Sequence, residues 1–415
     1  MSGFFRSRWV ERPGHVTELA PEALPRGFQA AGVAAGIKAD GLDLGVLVSD
    51  VNGTVSAARF TTNARAGAPV IVSRQADLGR LRAVAANSGC SNVGDGRRGY
   101  ETAVAMQVRA AELLGLERAT VGVASTGVIG HELPRARVLA GIDAACGKLS
   151  GDADGLSRAI LTSDSAPKRC ALEVQLPSGS VRLAAQAKGA GMISPRFATM
   201  FCFVETDALL LPETIELLTG VCVKRSFDRI SVDGQLSTSD TVFALASGAA
   251  GVRVEPESAD ELALGEALDA LLRQLALDIV HDGEGAERVG RVIVRGGSDA
   301  VEPVARAVAD SPLVKAALHG GDPNFGRVLQ AAGQAYPPDD PFLVDLEIEG
   351  RQVVSAGDAI GLEEAELREL EAAVLRDEVE LVLTLPGEGG ETEVFFSDLS
   401  EAYAAYNAEY AKGRG

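Results

Sequence analysis

The chain has 415 residues, too many for one small core, and its 46% apolar and 23% charged residues are those of an ordinary soluble globular protein. A formal net charge of −19 argues against nucleic acid or an anionic membrane as partner, since both select basic surfaces. Five cysteines (Cys90, Cys146, Cys170, Cys202, Cys222) lie far apart with no C-x-x-C, which points to reduced thiols and away from disulfides or a zinc site. Met1 to Pro25 carries Arg6, Arg8, Glu11 and Arg12 and no apolar stretch, so no signal peptide is expected. No apolar run approaches the ~20 residues of a membrane span. The expectation is a soluble, cytoplasmic protein of two domains.

Leu44 to Asp50 is a short apolar run closed by Asn52-Gly53, which predicts a buried strand and a hairpin, with Val55 to Phe60 returning. Ala68 to Arg74 reads as a further strand. Cys90, in Asn87-Ser88-Gly89-Cys90-Ser91-Asn92, reads as a buried small residue rather than a reactive thiol. Tyr100 to Leu114 has helical spacing, with Glu101 in its first turn. Val121 to Gly130 is a strand entering a glycine-rich turn, with Pro134 opening the next helix. There Thr126 and Gly127 offer a hydroxyl and an unencumbered backbone N–H at one point, the equipment for holding an oxyanion. An ordinary strand-to-helix turn has the same look. Thr162-Ser163-Asp164-Ser165-Ala166-Pro167-Lys168 reads as a capped loop before a proline. Cys170 to Val174 and Val181 to Ala185 alternate around Pro177-Ser178-Gly179, a hairpin that delivers the chain to Lys188.

From Lys188 the sequence runs Gly-Ala-Gly-Met-Ile-Ser-Pro-Arg-Phe-Ala-Thr-Met and enters the apolar run Phe201-Cys202-Phe203-Val204. Glycines permit backbone conformations that other residues resist, so such a loop can aim a carbonyl at a neighbouring hydroxyl. A cut between Ala198 and Thr199 would give Thr199 a nucleophilic hydroxyl and a free α-amine of pKa ~8, able to serve as its base. The alternative is a glycine-rich turn feeding a core strand.

Pro212 to Val223 predicts a helix with proline near its start. Ala259 to Val280 predicts a long amphipathic helix with Leu262, Leu264, Leu268, Leu271, Leu272, Leu275 and Ile279 inward. Next comes His281-Asp282-Gly283-Glu284-Gly285-Ala286. A carboxylate on such a loop can hold an amino acid's ammonium, although most loop glutamates are merely solvated. His281 reads as structural. From Arg288, strands at Val292–Gly297, Leu343–Ile348 and Glu378–Leu385 with a helix near Ala300–Ala309 describe a smaller α/β unit. Gly296-Gly297 does not fit G-x-G-x-x-G, and no Walker A sequence occurs. Asp398 and Glu401 have the spacing of a capping box, and Leu399, Tyr403, Tyr406 and Tyr410 form a helical stripe that docks the tail. None of His15, His131, His281 or His319 sits in a triad-like motif.

From Gly27 to Tyr410 these segments resemble the ornithine acetyltransferase (glutamate N-acetyltransferase) family of arginine biosynthesis. The resemblance is carried by Lys188 to Met200, Ser125 to Gly130, Thr162 to Lys168, Asp228 to Thr241, His281 to Ala286 and Gly321 to Arg327. It implies an α/β layered sandwich of the self-processing aminopeptidase type: a main catalytic domain 1–287, a smaller C-terminal α/β domain 288–390, and a helical tail 391–415 returning to the active site. It further implies cleavage between Ala198 and Thr199 into chains 1–198 and 199–415, assembled as α2β2. Thr199 is then the nucleophile, Thr126 and Gly127 the oxyanion hole, and Thr162, Lys188, Glu284 and Asn407 the substrate contacts, with Lys188 suited to a carboxylate.

The activity implied is ping-pong acetyl transfer from N-acetylornithine to glutamate, with no cofactor or metal and with acetyl-CoA as a candidate second donor. The chain departs from the family at Cys90-Ser91, Asp228, Gln235, Leu236, Ser239, Phe325 and Lys412. A self-processing amidase or aminopeptidase, a specialised-metabolism acetyltransferase and an uncut binding homologue remain as alternatives.

Overall fold

The computed structural model of the chain describes residues 3–194, 200–297 and 299–410, which fall into two compact units. The first draws on residues 1–189, 196–228 and 236–276, and the second on 190–195, 229–235 and 277–415.

In the first unit, strands β1 (Val16–Glu18), β2 (Phe28–Val33), β3 (Leu44–Ser49), β4 (Val55–Phe60), β5 (Ala83–Asn87), β6 (Val121–Ser125), β7 (Lys168–Leu176), β8 (Gly179–Lys188) and β9 (Phe201–Thr206) alternate with helices α1 (Ala68–Arg74), α2 (Gly96–Leu114), α3 (Arg135–Cys146) and α4 (Asp154–Ala159). Next is α5 (Pro212–Arg225); then, beyond β10 (Ile230–Ser231) of the second unit, come β11 (Thr241–Ala246) and most of α6 (Ala259–His281). One sheet has the order β1-β7-β8-β9-β11-β4 and the other β2-β3-β5-β6. Their facing sides meet through Phe28, Leu47, Val84, Phe201, Phe203 and Phe243. Each buried ring contributes roughly 1.5–3 kcal/mol. Helices α2 and α3 cover the four-stranded sheet through Met106, Ala110, Val138 and Ile142. On the far side of the six-stranded sheet, Ile215 of α5 and Leu264 and Leu268 of α6 approach Val204 and Ala244. Strands covered on both faces need no polar alternation, which is why β9 and β11 are buried throughout.

The second unit adds β12 (Val289–Gly296), α7 (Val301–Asp310), α8 (Pro312–Gly320), α9 (Phe325–Gly333), β13 (Asp345–Ile348), β14 (Arg351–Ser355), β15 (Asp358–Ala359), α10 (Glu364–Ala373), β16 (Glu378–Thr384), β17 (Gly390–Ser397) and α11 (Glu401–Tyr410). Its sheet runs β10-β17-β12-β16-β13-β14-β15, with Val292, Val304, Val308, Leu346, Leu383 and Phe396 in its core.

The long elements match their expectation, among them α2, α5, α6 and the β7–β8 hairpin. Four local expectations fail. Ala68 to Arg74 is helical: Pro69 sits at its first turn, and Val70 and Val72 are buried. β3 and β4 are not a hairpin, because β3 pairs with β2 and β5 while β4 pairs with β11. Leu262 of α6 is 66% exposed and does not face inward. Asp398 is no cap. Its carboxylate accepts the Glu287 N–H at 2.9 Å and His319 Nδ1–H at 2.8 Å, and Ser400 Oγ takes the capping bond from the Tyr403 N–H at 3.3 Å.

Candidate active site

Within the first unit, β8 and β9 are antiparallel neighbours in which Lys188 pairs with Phe201. The pairing of these two residues ends β8 and begins β9 side by side. Ala198 and Thr199, the expected cleavage site, lie outside the described residues, as does Lys412. The expected oxyanion donors stand at the end of β6. The Thr126 N–H donates to Asn87 O at 3.0 Å. Gly127 has φ +124°, and a Cβ there would fall 2.4 Å from the Gly89 carbonyl carbon, so no side chain fits. The Gly127 N–H meets no acceptor among the described residues.

Lys188 is buried to 1% exposure, and its Nζ donates to Thr126 Oγ1 at 3.1 Å. An ammonium can only donate, so Thr126 Oγ1 accepts here and keeps its own hydroxyl hydrogen for another acceptor. Phe201 lies beneath the same ammonium, its ring centroid 5.9 Å away.

Asp164 organises this corner. Its buried carboxylate accepts Lys168 Nζ at 2.7 Å, the Gly189 N–H at 2.6 Å and the Thr162 N–H at 3.0 Å. Burial opposes its ionisation, but the charges of Lys168 and Lys188, with the hydrogen bonds from Lys168 and Thr162, outweigh it and hold the pKa at about 2. Lys38 donates to Leu161 O at 3.0 Å, and burial lowers its pKa against the pull of Asp43 and Asp164. Three lysines around so few acids favour an anionic ligand group. Cys90 is buried, and burial pushes its thiol up, as befits a packing residue.

The second unit gathers the other expected contacts. Glu284 Oε2 accepts from Asn407 Nδ2 at 2.9 Å, and the same amide donates to Tyr403 O at 3.0 Å. α11 is held on the Glu284 loop by Ser400 Oγ, which donates to Gly285 O at 2.5 Å. A Cβ at Gly191 would lie 2.5 Å from Glu284 Oε1, so that carboxylate packs where only glycine leaves room. Burial, with the charges of Asp233 and Glu284, pushes Tyr403 up to about 12 and keeps it a neutral phenol.

Thr126, Gly127, Thr162 and Lys188 thus fall in the first unit, and Glu284 and Asn407 in the second. Reading the sequence singled out neither Asp164 nor its ion pair with Lys168. The spacing of four residues between them is a signal only once the intervening loop is known to double back.

Comparison with known proteins is decisive for the family. The ArgJ family model matches residues 29–412. The arginine biosynthesis bifunctional protein ArgJ of Symbiobacterium thermophilum is 43% identical over 398 residues, covering 93% of this chain and 97% of that protein. The chain belongs to the ArgJ family. The protein of the same name from Rhodopirellula baltica is 40% identical over 95% of this chain and 100% of its own. Among solved structures, an ornithine acetyltransferase complexed with ornithine from Mycobacterium tuberculosis is 36% identical over 43% of this chain and 98% of that one, with a TM-score of 0.41. The ArgJ match takes in every candidate site residue from Thr126 to Asn407. No helix among the described residues is long and apolar enough to cross a membrane.

Proposed function

We propose that this chain is a self-cleaving acetyltransferase that moves an acetyl group from N-acetylornithine to glutamate. Its membership of the ArgJ family and the names of its relatives support the substrates. The observation that carries the chemistry is the Lys188–Thr126 bond beside Gly127, at the end of β8. Thr199 Oγ first attacks the Ala198 carbonyl carbon, and water hydrolyses the resulting ester. The products are an Ala198 carboxylate and a Thr199 with a free α-amine. In turnover that amine takes the Thr199 hydroxyl proton as Oγ attacks the acetyl carbonyl carbon. Thr126 Oγ1–H and the Gly127 N–H hold the oxyanion. The C–N bond then breaks, the proton passes to the departing ornithine amine, and acetyl-Thr199 remains. Glutamate's amine attacks that ester to complete transfer.

Lys188 and Thr162 serve the substrate's carboxylate end, and Glu284 and Asn407 its ammonium end. The two chains assemble further as α2β2, the reaction needs no metal or cofactor, and the protein works in the cytoplasm. Intact mass tests this reading first. Wild type is expected as two chains breaking at Ala198–Thr199 and Thr199→Ala as one; an uncut wild type would remove the nucleophile and the mechanism with it. A second reading, that acetyl-CoA also donates to glutamate, is favoured by the word bifunctional in the relatives' names. Acetyl-CoA-dependent acetylglutamate formation without N-acetylornithine is its assay.

A further inference from the structure

We propose that Asn87 is a positioning residue for the oxyanion hole, its side-chain amide shaping the loop against which Thr126 and Gly127 are laid. The proposal rests on the reading that Thr126 and Gly127 hold the oxyanion. Every residue it uses belongs to the first unit.

β6 is the edge strand of the four-stranded sheet and pairs in parallel with β5 as far as Asn87 and Ser125. Helix α1 supports it through Ser73, whose Oγ donates to Val123 O at 2.7 Å and accepts the Val123 N–H at 2.8 Å. Past Ser125 both strands have ended, yet the bonding continues between two loops. The Thr126 N–H donates to Asn87 O at 3.0 Å and the Val128 N–H to Gly89 O at 3.3 Å. In return Val128 O accepts the Ser91 N–H at 3.1 Å and the Ser91 hydroxyl at 2.8 Å. Gly127 stands between these tied residues. Because peptide units are planar, bonds on both sides of it set the direction of its own N–H. A Cβ there would also fall 2.7 Å from Cys90 N, so the two loops touch with no side chain between them.

The shape of the supporting loop depends on the Asn87 amide, which is fully buried. Its Nδ2 donates to Cys90 O at 3.0 Å and to Ser88 O at 3.4 Å, and its Oδ1 accepts the Ser125 hydroxyl at 2.6 Å. One side chain therefore spans the turn on its own chain and grips the last residue of β6, while its backbone carbonyl holds Thr126. Inside that turn Gly89 takes φ +95°, a region that glycine enters freely and that gives the turn little stiffness of its own. Ser88 anchors the start of the loop, its N–H on Asp43 O at 2.9 Å and its hydroxyl on Ala159 O at 2.7 Å. An amide offers donors on one side and an acceptor on the other, whereas an ionised carboxylate only accepts. Only the amide suits Cys90 O and the Ser125 hydroxyl together.

Preorganised donors stabilise an oxyanion because they need not move when charge develops. A misplacement of ~1 Å can lower a rate by ~10², so a side chain that holds the loop behind the donors should be felt in turnover without touching substrate.

The experiment is steady-state acetyl transfer from N-acetylornithine to glutamate, with kcat referred to cut chain counted by intact mass and folding followed by thermal melting. Wild type, Thr126→Ala, Asn87→Asp, Ser125→Ala and the double variant Asn87→Asp/Thr126→Ala are compared. Asn87→Asp is nearly isosteric but turns an oxygen on Cys90 O, and kcat is expected to fall at least about tenfold with KM within about threefold. In the Thr126→Ala background the same change should cost no more than about threefold, because residues serving one device are not additive. A merely structural role would not move that coupling. An undiminished loss in that background overturns the proposal, as does a folded Asn87→Asp with wild-type kcat or a loss confined to KM. Should Asn87→Asp fail to fold or to be cut, Ser125→Ala carries the test. It removes only the hydroxyl that Asn87 Oδ1 accepts and should lower kcat several-fold; wild-type kcat there overturns the proposal. Thr126→Ala with wild-type kcat would instead remove the oxyanion reading itself.

Discussion

Two residues apart on β8, Lys188 and Gln186 stand beside carboxyl groups held in opposite states. Asp164, near Lys188, is pulled down to about 2, whereas Glu205, beside Gln186, is pushed up to about 8. Both side chains are buried, and burial alone raises a carboxyl pKa. The difference lies in partners. Asp164 has a lysine ammonium, two backbone N–H groups and the charge of Lys188. Among the described residues Glu205 has only Gln186 Nε2, at 3.0 Å, and its Oε1 meets no partner. The interior therefore keeps charge where Lys188 meets Thr126 and discharges it one pleat further along the same strand.

Removing the ionised member should have the larger effect. Asp164→Asn strands the buried Lys168 charge, and breaking a buried pair from one side typically costs ~3–5 kcal/mol. Because the folded pKa is depressed, wild type owns this stability above pH ~4 and loses it as pH falls through about 2. Urea unfolding should show a wide gap between wild type and variant at pH 7 that narrows at pH 2.5. An equal gap at both pH values would mean that the pair does not tune Asp164.

Thr126→Ala comes next and asks what the retained charge serves. If Thr126 Oγ1–H faces the oxyanion with Lys188 behind it, kcat for acetyl transfer should drop ~10²–10³, equivalent to ~2.7–4 kcal/mol, with KM changed only a few-fold. A loss confined to KM would reassign Thr126 to substrate binding.

How much of this was legible depended on the range over which each feature is decided. The β7–β8 hairpin and the glycine turn at Thr126-Gly127 are local, and their sequences declare them. Glu284 and Asn407 were picked out by resemblance alone, and their bond spans 123 positions. Ala68 to Arg74 misled because seven mostly apolar residues carry no period that separates strand from helix, and packing on α2 and β6 decides. Asn52-Gly53 correctly announced a turn, but which strand meets β4 is settled by β11, nearly two hundred residues on. Asp398 has a cap's spacing, yet its carboxylate is claimed by Glu287 and His319, which no window around position 398 contains. Asp164 escaped for the same reason: an aspartate before or after a turn is commonplace until the distant backbone it holds is known.

Glu205→Gln is the gentlest way to sharpen the comparison. A carboxyl whose folded pKa is raised contributes stability that is full below its ordinary value of 4.5 and is lost as pH rises through about 8. Glutamine cannot ionise, so the variant should match wild type near pH 5 and exceed it near pH 8.5, by a few kcal/mol at most. It should also pair better. Gln186 Oε1 and Glu205 Oε1 are both buried without partners among the described residues, and an amide at position 205 can accept from Gln186 Nε2 while donating to Gln186 Oε1. Acetyl transfer should stay within about twofold of wild type, because Glu205 sits four positions along β9 from Phe201, whose ring lies beneath Lys188. Thermal midpoints at the two pH values decide the matter. A gain at pH 8.5 that vanishes at pH 5 shows that Glu205 is held neutral by burial, whereas a loss at both would mean that its carboxylate answers a charge within the sheet.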